Sequence, residues 1–278
     1  LKAGRDILIY ANNRGDVNVD TVSGAGGGIA GVGGAVSVAL ITHTTRAYAG
    51  NAESALSAAS LYAARTMEVK AVSAESVNGV AVSAAGGGTV GVAGAILVKI
   101  ISTTTQAYLG DYALINQNNQ AGLSENQTVR VWSVDTVLSE GAAGSGAAAG
   151  LAGVGASLDV TVIRNTVTAF IGQQARVYAE RNGTDPSPAG NVVVKAESIK
   201  EIESYVIAAA GGGTVGIGGA VAIISLGAKL NSESQESIAD AASFIDGEIS
   251  SDVVSGELGD SEYAGGTETA VKDKVTGL

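Results

Sequence analysis

Cysteine is missing from this sequence, and its absence excludes disulfides, thiolate metal sites and cysteine nucleophiles. A long bacterial surface protein that crosses membranes unfolded can share that absence. Only two prolines occur, and aromatic side chains supply 4% of the chain. Histidine occurs once, at His43 in a Thr-His-Thr-Thr run. A serine hydrolase triad would have to use it, yet no Gly-x-Ser-x-Gly elbow accompanies it, so a solvated strand histidine is expected. Positive charge is scarce too: 16 Lys and Arg stand against 27 Asp and Glu, a net charge of -11. No basic stripe offers itself to a phosphate backbone, so nucleic acid is not an expected partner. The chain opens at Leu1 without the charged and apolar regions of a signal peptide, and it reads as a fragment of something larger.

What is abundant is glycine, 40 residues in 278, within a chain that is 46% apolar. Much of it falls in one recurring block. Residues 26–38 read GGGIAGVGGAVSV, 84–101 AAGGGTVGVAGAILVKII, 147–159 AAAGLAGVGASLD and 211–223 GGGTVGIGGAVAI. The copies begin near 26, 86, 147 and 211, a period of roughly 60 residues that marks a repeat array. Within the blocks the side chains sort at period two. Val32, Val36, Val38 and Leu40 alternate with Gly31, Gly33, Ala35 and Ser37, and Val90, Val92, Ile96, Val98 and Ile100 alternate with Gly91, Ala93 and Ala95. This is strand periodicity with one branched and one nearly flat face. Glycine at such density would weaken a helix by roughly 1 kcal/mol per position.

Other elements keep step with the blocks. Alternating runs precede the later copies over 67–82, 129–138 and 192–207, and a closing Thr-x-Ala-aromatic-x-Gly element follows at Thr45 and Thr105, shortened at Thr168. Counted from the last glycine of the block, the Ala of that element keeps the same distance in the first two copies, Gly34 to Ala47 and Gly94 to Ala107. In the third copy, from Gly155 to Ala169, it falls one position later. The extra residue predicts a bulge between Gly155 and Ala169, with Asp159 on the branched face. Before the first block, 6–10 and 16–20 read as two short strands joined by an Ala-Asn-Asn-Arg-Gly turn. Residues 116–127 and 182–190 read as loose loops, where an array usually meets its partner.

Several motifs invite a chemistry that the pattern does not support. Gly-x-Gly-x-x-Gly occurs at Gly26, Gly86 and Gly211. The dinucleotide fingerprint needs a helix after it, and here a strand follows each time. Four uncharged windows have the length of a membrane span, but their period-two alternation opposes a helix, and a transmembrane barrel would carry aromatic girdles that these windows lack. Carboxylate pairs at Asp240 with Asp246 and Asp246 with Glu248 lie in an acidic tail, where a solvated surface is expected. No calcium-binding loop pattern is present. Asn126-Gln127-Thr128 fits the glycosylation sequon.

The phrase as a whole, a V-x-V-x-A strand, a GGG-x-x-G-x-G-G-A block and a T-x-A-Y/F-x-G close, resembles the repeat regions of very large secreted bacterial adhesins. These are the filamentous-haemagglutinin-like and leukotoxin-like proteins exported by type V or two-partner systems. The likeness covers roughly residues 1–230 and implies an elongated β solenoid that holds a tip away from the cell. Haemagglutinin repeats are roughly a third as long as this period, so three such coils are expected to make one unit here. The reading is therefore an all-β, repetitive β solenoid over 1–230, with an acidic terminal or linking segment over 231–278. A right-handed parallel β-helix is favoured, and long antiparallel strands in a sandwich, prism or fibre are the alternative. The expected role is structural and adhesive, at the bacterial surface or secreted, against host cells, neighbouring cells or matrix, with lateral self-association open. A polysaccharide-active β-helix enzyme or a membrane-associated barrel is the rival. No catalytic, cofactor or metal residue is assigned.

Overall fold

The computed structural model describes residues 1–50, 58–117, 126–179 and 191–227. They form twelve strands: β1 (Lys2–Ala3), β2 (Ile7–Gly27), β3 (Ala30–Ala49), β4 (Ser60–Ala63), β5 (Thr66–Gly87), β6 (Val90–Leu109), β7 (Leu114–Ile115), β8 (Thr128–Ala149), β9 (Ala152–Ile171), β10 (Arg176–Val177), β11 (Asn191–Gly212) and β12 (Val215–Leu226). Three sheets result, each collecting one strand from every coil. The first long sheet runs β2-β5-β8-β11, the second β3-β6-β9-β12, and a short one β1-β4-β7-β10. Every pairing among the described residues is parallel. Ile7, Met67, Val129 and Val192 lie side by side, so the chain advances one coil in roughly 60 residues, the period of the glycine blocks. The fold is a parallel β solenoid of four flattened coils. The long antiparallel strands of the alternative are not formed.

Each coil sends out one long strand, reverses in two residues, and returns along the opposite sheet. At about 3.3 Å per residue an arm is roughly 70 Å long, while four strands about 4.8 Å apart stack to roughly 19 Å. The described solenoid is thus wide along its strands and short along its axis.

Side-chain size follows the gap between the long sheets. At the wide end, where the short sheet closes the coil, Met67, Leu109, Ile115 and Val129 are buried. Further along, Val77, Ile101, Val137 and Ile163 fill the space. Next come Ala81, Ala95 and Ala143 with Leu97, then only Ala85, Ala93 and Ala147. At the reversal the sheets are so close that a Cβ on Gly31 would overlap the Gly86 carbonyl oxygen, and one on Gly91 would stand 2.8 Å from that of Ala148. The flat face of each glycine block therefore points inward, between the sheets. Its branched face points outward from the second sheet, where Val92, Ile96, Val98, Val154, Leu158 and Val160 stack coil on coil and are buried on the two middle strands.

Three expectations are corrected by this geometry. Residues 6–10 and 16–20 belong to one unbroken strand, β2, because Asn13 and Gly15 face inward at the level where later coils also carry polar residues. The bulge is absent: β6 and β9 keep one register from Val90↔Ala152 to Leu109↔Ile171. Gly155 pairs with Ala93 and not with Gly94, so the apparent extra residue comes from matching unlike glycines, and Asp159 lies on the inward face beside Leu97. Each repeat unit is a single coil, not three. Of the loop expected over 116–127, residues 118–125 lie outside the described residues, and its two ends are tied to one strand: Asn116 Oδ1 accepts from Ala63 N at 2.9 Å, and Gln127 Nε2 donates to Ala63 O at 2.9 Å. Residues 182–190 and 231–278 lie outside the described residues.

The glycine that follows the first long strand of each coil, Gly28, Gly88, Gly150 and Gly213, sits in the reversal, where each coil rests on the one before. A Cβ on Gly88 would overlap Gly28 O, and one on Gly150 would overlap Gly88 O, whereas Gly26 faces open space. Gly88→Ala and Gly150→Ala should each destabilise by about 1–3 kcal/mol through overpacking, while Gly26→Ala should be neutral or slightly stabilising. Urea midpoints of the three variants test this.

Candidate functional site

The densest chemistry lies between the sheets, in a polar belt that separates the wide-end core from the rest. Its residues come from strands whose inward positions alternate, so Ser73 and Glu75 on β5, Ser133 and Asp135 on β8, His43 and Thr45 on β3, and Thr103 and Thr105 on β6 all converge.

His43 is inward-facing, and its side chain is 18% exposed. The expected solvated histidine is not found, because alternation along β3 turns this position toward β5. His43 Nε2 lies 2.8 Å from Ser73 Oγ and 2.6 Å from Glu75 Oε1, and the Ser73 hydroxyl donates to that same carboxylate oxygen at 2.5 Å. Serine, histidine and carboxylate are thus in contact, but a triad places its serine and carboxylate on opposite ring nitrogens. Here both meet Nε2, and Ser73 is fully buried, out of a substrate's reach. The cluster is built to hold a buried carboxylate. Burial pushes the Glu75 carboxyl up, helped by the Asp135 charge and opposed by the Ser73 hydroxyl and His43.

Asp135, also fully buried, is held by neutral donors: Thr103 and Thr105 hydroxyls donate to Oδ2 at 2.9 Å each, and Asn165 Nδ2 donates to Oδ1 at 2.5 Å. A second buried charge group lies nearer the reversal. Lys99 Nζ stands 3.3 Å from Asp159 Oδ2, with both side chains essentially without solvent contact, and Ser204 donates to the same oxygen. Gly141 on the facing strand makes the room, since a Cβ there would overlap Lys99 Nζ and stand 2.6 Å from Asp159 Oδ2. Burial pushes the Lys99 ammonium down, against the pull of Asp159. Among the described residues no group of three or more His, Asp or Glu is placed to hold a metal ion.

Outside, the coils present columns. Tyr48, Tyr108 and Phe170 stack with ring centres 5.1 and 4.9 Å apart and planes within 9°. Lys70 and Lys195 place their ammonium groups 5.0 and 5.3 Å from the centre of the Trp132 ring, one from each side. The aromatic column comes from the closing element visible in the sequence. The belt is not assigned by sequence reading, although aligning the copies puts Asn13, Ser73, Asp135 and Ser198 in one column. The paired carboxylates of the tail, Asp240, Asp246 and Glu248, lie outside the described residues. The chain matches no protein-family model, and no similar curated protein or solved structure was found.

Two outcomes follow from the buried charges. Glu75 binds its proton more tightly folded than unfolded, so its contribution is full below the ordinary value of 4.5 and is lost as pH rises through the raised folded value. Glu75→Gln should melt close to wild type near about pH 4 and above it near about pH 8, and thermal melts across that range measure the difference. Lys99→Met strands Asp159 and should cost about 3–5 kcal/mol. Lys99→Met with Asp159→Leu, which copies the Leu97 of the coil before, should recover most of that loss in the same denaturation assay.

Proposed function

We propose that this chain is a structural and adhesive repeat segment of a secreted or surface-attached bacterial protein, whose outer columns meet another cell or its matrix. The observation that carries the reading is the division of labour between faces. His43, Glu75, Asp135 and the Lys99–Asp159 pair lie between the sheets with their hydrogen bonds directed at neighbouring inward groups, and the outer face of the first sheet presents columns such as Lys70, Trp132 and Lys195 that run from coil to coil. Aromatic rings and cations held in such columns suit contact with an extended partner, since large rigid side chains dominate recognition energy. An enzyme acting on polysaccharide needs carboxylates converging on an open lateral face. Glu75, Asp135 and Asp159 are buried out of such a substrate's reach, and the exposed carboxylates that neighbour each other, Glu140 and Glu203, are paired across β8 and β11 on the outer face of the first sheet.

The flattened coil adds an argument about form. Roughly 60 residues are used for each rise of about 4.8 Å, so the architecture yields breadth and stiffness before it yields reach. A ribbon that offers wide, uniform faces fits attachment better than a slender spacer does.

The labelled chain incubated with epithelial cells, bacterial cells and immobilised matrix should bind at least one saturably, and should release no reducing ends from a polysaccharide panel. Trp132→Ala should weaken that binding while the urea midpoint stays near wild type. Turnover of any polysaccharide, or failure to bind every surface, would sink the reading.

A further inference from the structure

Part of the outer face of the second sheet is buried although nothing among the described residues lies over it, and we infer that residues 232–254, in the acidic segment after β12, do. The outward side chains concerned are Val92, Ile96 and Val98 on β6, and Leu158, Val160 and Val162 on β9. Within a single chain the three on β9 are 0% exposed, and Ile96 and Val98 are 1% exposed. The first sheet shows what stacking of coils achieves by itself: on its two middle strands the outward Val72, Val80, Val134 and Leu138 stay only half-buried. Every member of the buried cluster, and every apolar side chain packed at its margin, belongs to the second sheet. The cover comes from elsewhere in the chain.

The covered stretch has sharp limits. Beyond Ile100 and Val162 the outward Ser102, Thr104 and Thr168 return to partial exposure. On the flanking strands Val38 and Leu40 of β3, and Val215 and Val221 of β12, are exposed. What lies over the face is therefore two strands wide, about 10 Å, and about ten residues long, roughly 33 Å. One α-helix of about 22 residues has that width and that length.

Of the segments outside the described residues, three are too short to supply it. Residues 51–57, 118–125 and 180–190 each leave and return at the wide end. The longest of them, out and back, extends to about 20 Å, whereas the stretch begins about 26 Å along β6 from Leu109. The chain leaves β12 where the stretch begins. Leu226 is in register with Ile163, and Ile163 with Ile101; Gly227 N donates to Ile163 O at 2.8 Å, and Gly227 turns with φ +74°. The sequence that follows suits the face. Ile238, Ala242, Ile245, Ile249 and Val253 recur at steps of four and three, which sets them on one side of a helix with Glu233, Glu236 and Asp240 opposite. An apolar face left bare marks an association site. With this segment along it, the outer face of the first sheet, which carries Trp132, is the one left to a partner.

The full 278-residue chain has no cysteine, so introduced thiols react alone. Val38→Cys and Val221→Cys stand on the two flanks of the covered stretch, and each is combined with Ala241→Cys and treated with a short bismaleimide. At least one of these pairs should link within the monomer at least about tenfold faster than Ser76→Cys with Ala241→Cys, whose first thiol is on the outer face of the first sheet. The wild-type chain should bind the dye ANS weakly. Ile238→Asp with Ile245→Asp should raise the dye's fluorescence at least about threefold while circular dichroism keeps its strand signal. Flanking pairs that link no faster than the first-sheet pair, or a folded aspartate variant that binds no more dye than wild type, would overturn the inference. Should the aspartate variant not fold, the linking rates decide alone. The inference does not draw on the adhesive reading: cell binding with no such linking would leave that reading standing and remove this one.

Discussion

Where Gly31 faces the carbonyl of Gly86, the added methyl group of an alanine would overlap that oxygen. Two sheets are thus pressed together backbone to backbone at one end of every coil, and the remaining residue choices follow from that contact. The short sheet holds the opposite end open, so the gap between the sheets is a wedge. Packing at crystal-like density in a wedge demands a graded series of side chains. The chain supplies it, from Met67 and Leu109 through Val77 and Ile101 to Ala81, Ala85 and glycine. Larger inward residues appear near the narrow end only where the facing strand yields space, as Gly79 does for Leu97 and Gly141 for Lys99. Since the inner face must be small there, the branched residues of the blocks can only point outward, and they stack on their own copies in neighbouring coils.

Such a coil interacts almost entirely with its two neighbours, so stability is close to a sum of coil terms and coil–coil terms. The coupling between coils is unusually large, because each contact runs the whole length of two long arms. The reversal takes part as well: Thr89 N donates to Ile29 O and Gly213 N to Gly150 O, so even the two-residue turns are bonded from coil to coil. A local defect is therefore felt along an entire edge.

The period, the strands and the two-faced glycine blocks are legible because each depends on neighbours in sequence. Alternation at period two is written in Val90, Val92, Ile96 and Val98 without reference to anything else. The direction of each face is not legible, because a flat face can nestle against the next coil or against the opposite sheet, and local sequence does not distinguish the two. The belt is hidden for a related reason. Asn13 and Gly15 read as a turn when β2 is taken alone, and become an inward polar column only when set beside Ser73 and Glu75, then Asp135 and Val137. His43 looks solvated because its polar partner Ser73 arrives from another strand, far along the chain. The spurious bulge shows the same limit, since only the facing coil reveals that Gly155 answers to Ala93.

That hidden belt solves a difficulty which small-residue sheets create for themselves. A one-residue slip would turn the inner face outward and is forbidden by burial, but a slip of two keeps the same faces in place. Among Ala81, Ala85, Ala93 and Ala95 the packing penalty for such a slip is slight, because one small residue replaces another. The belt penalises it heavily. Moving β8 by two residues would carry Asp135 away from Thr103, Thr105 and Asn165, leaving a buried carboxylate without its three donors, and would draw Gly141 from over the Lys99–Asp159 pair so that a side chain collides with it. A stranded buried charge costs several kcal/mol, far more than the alanine columns can resist. Apolar alternation thus fixes which face is inside, and the buried polar groups fix where along the arm each strand must stop.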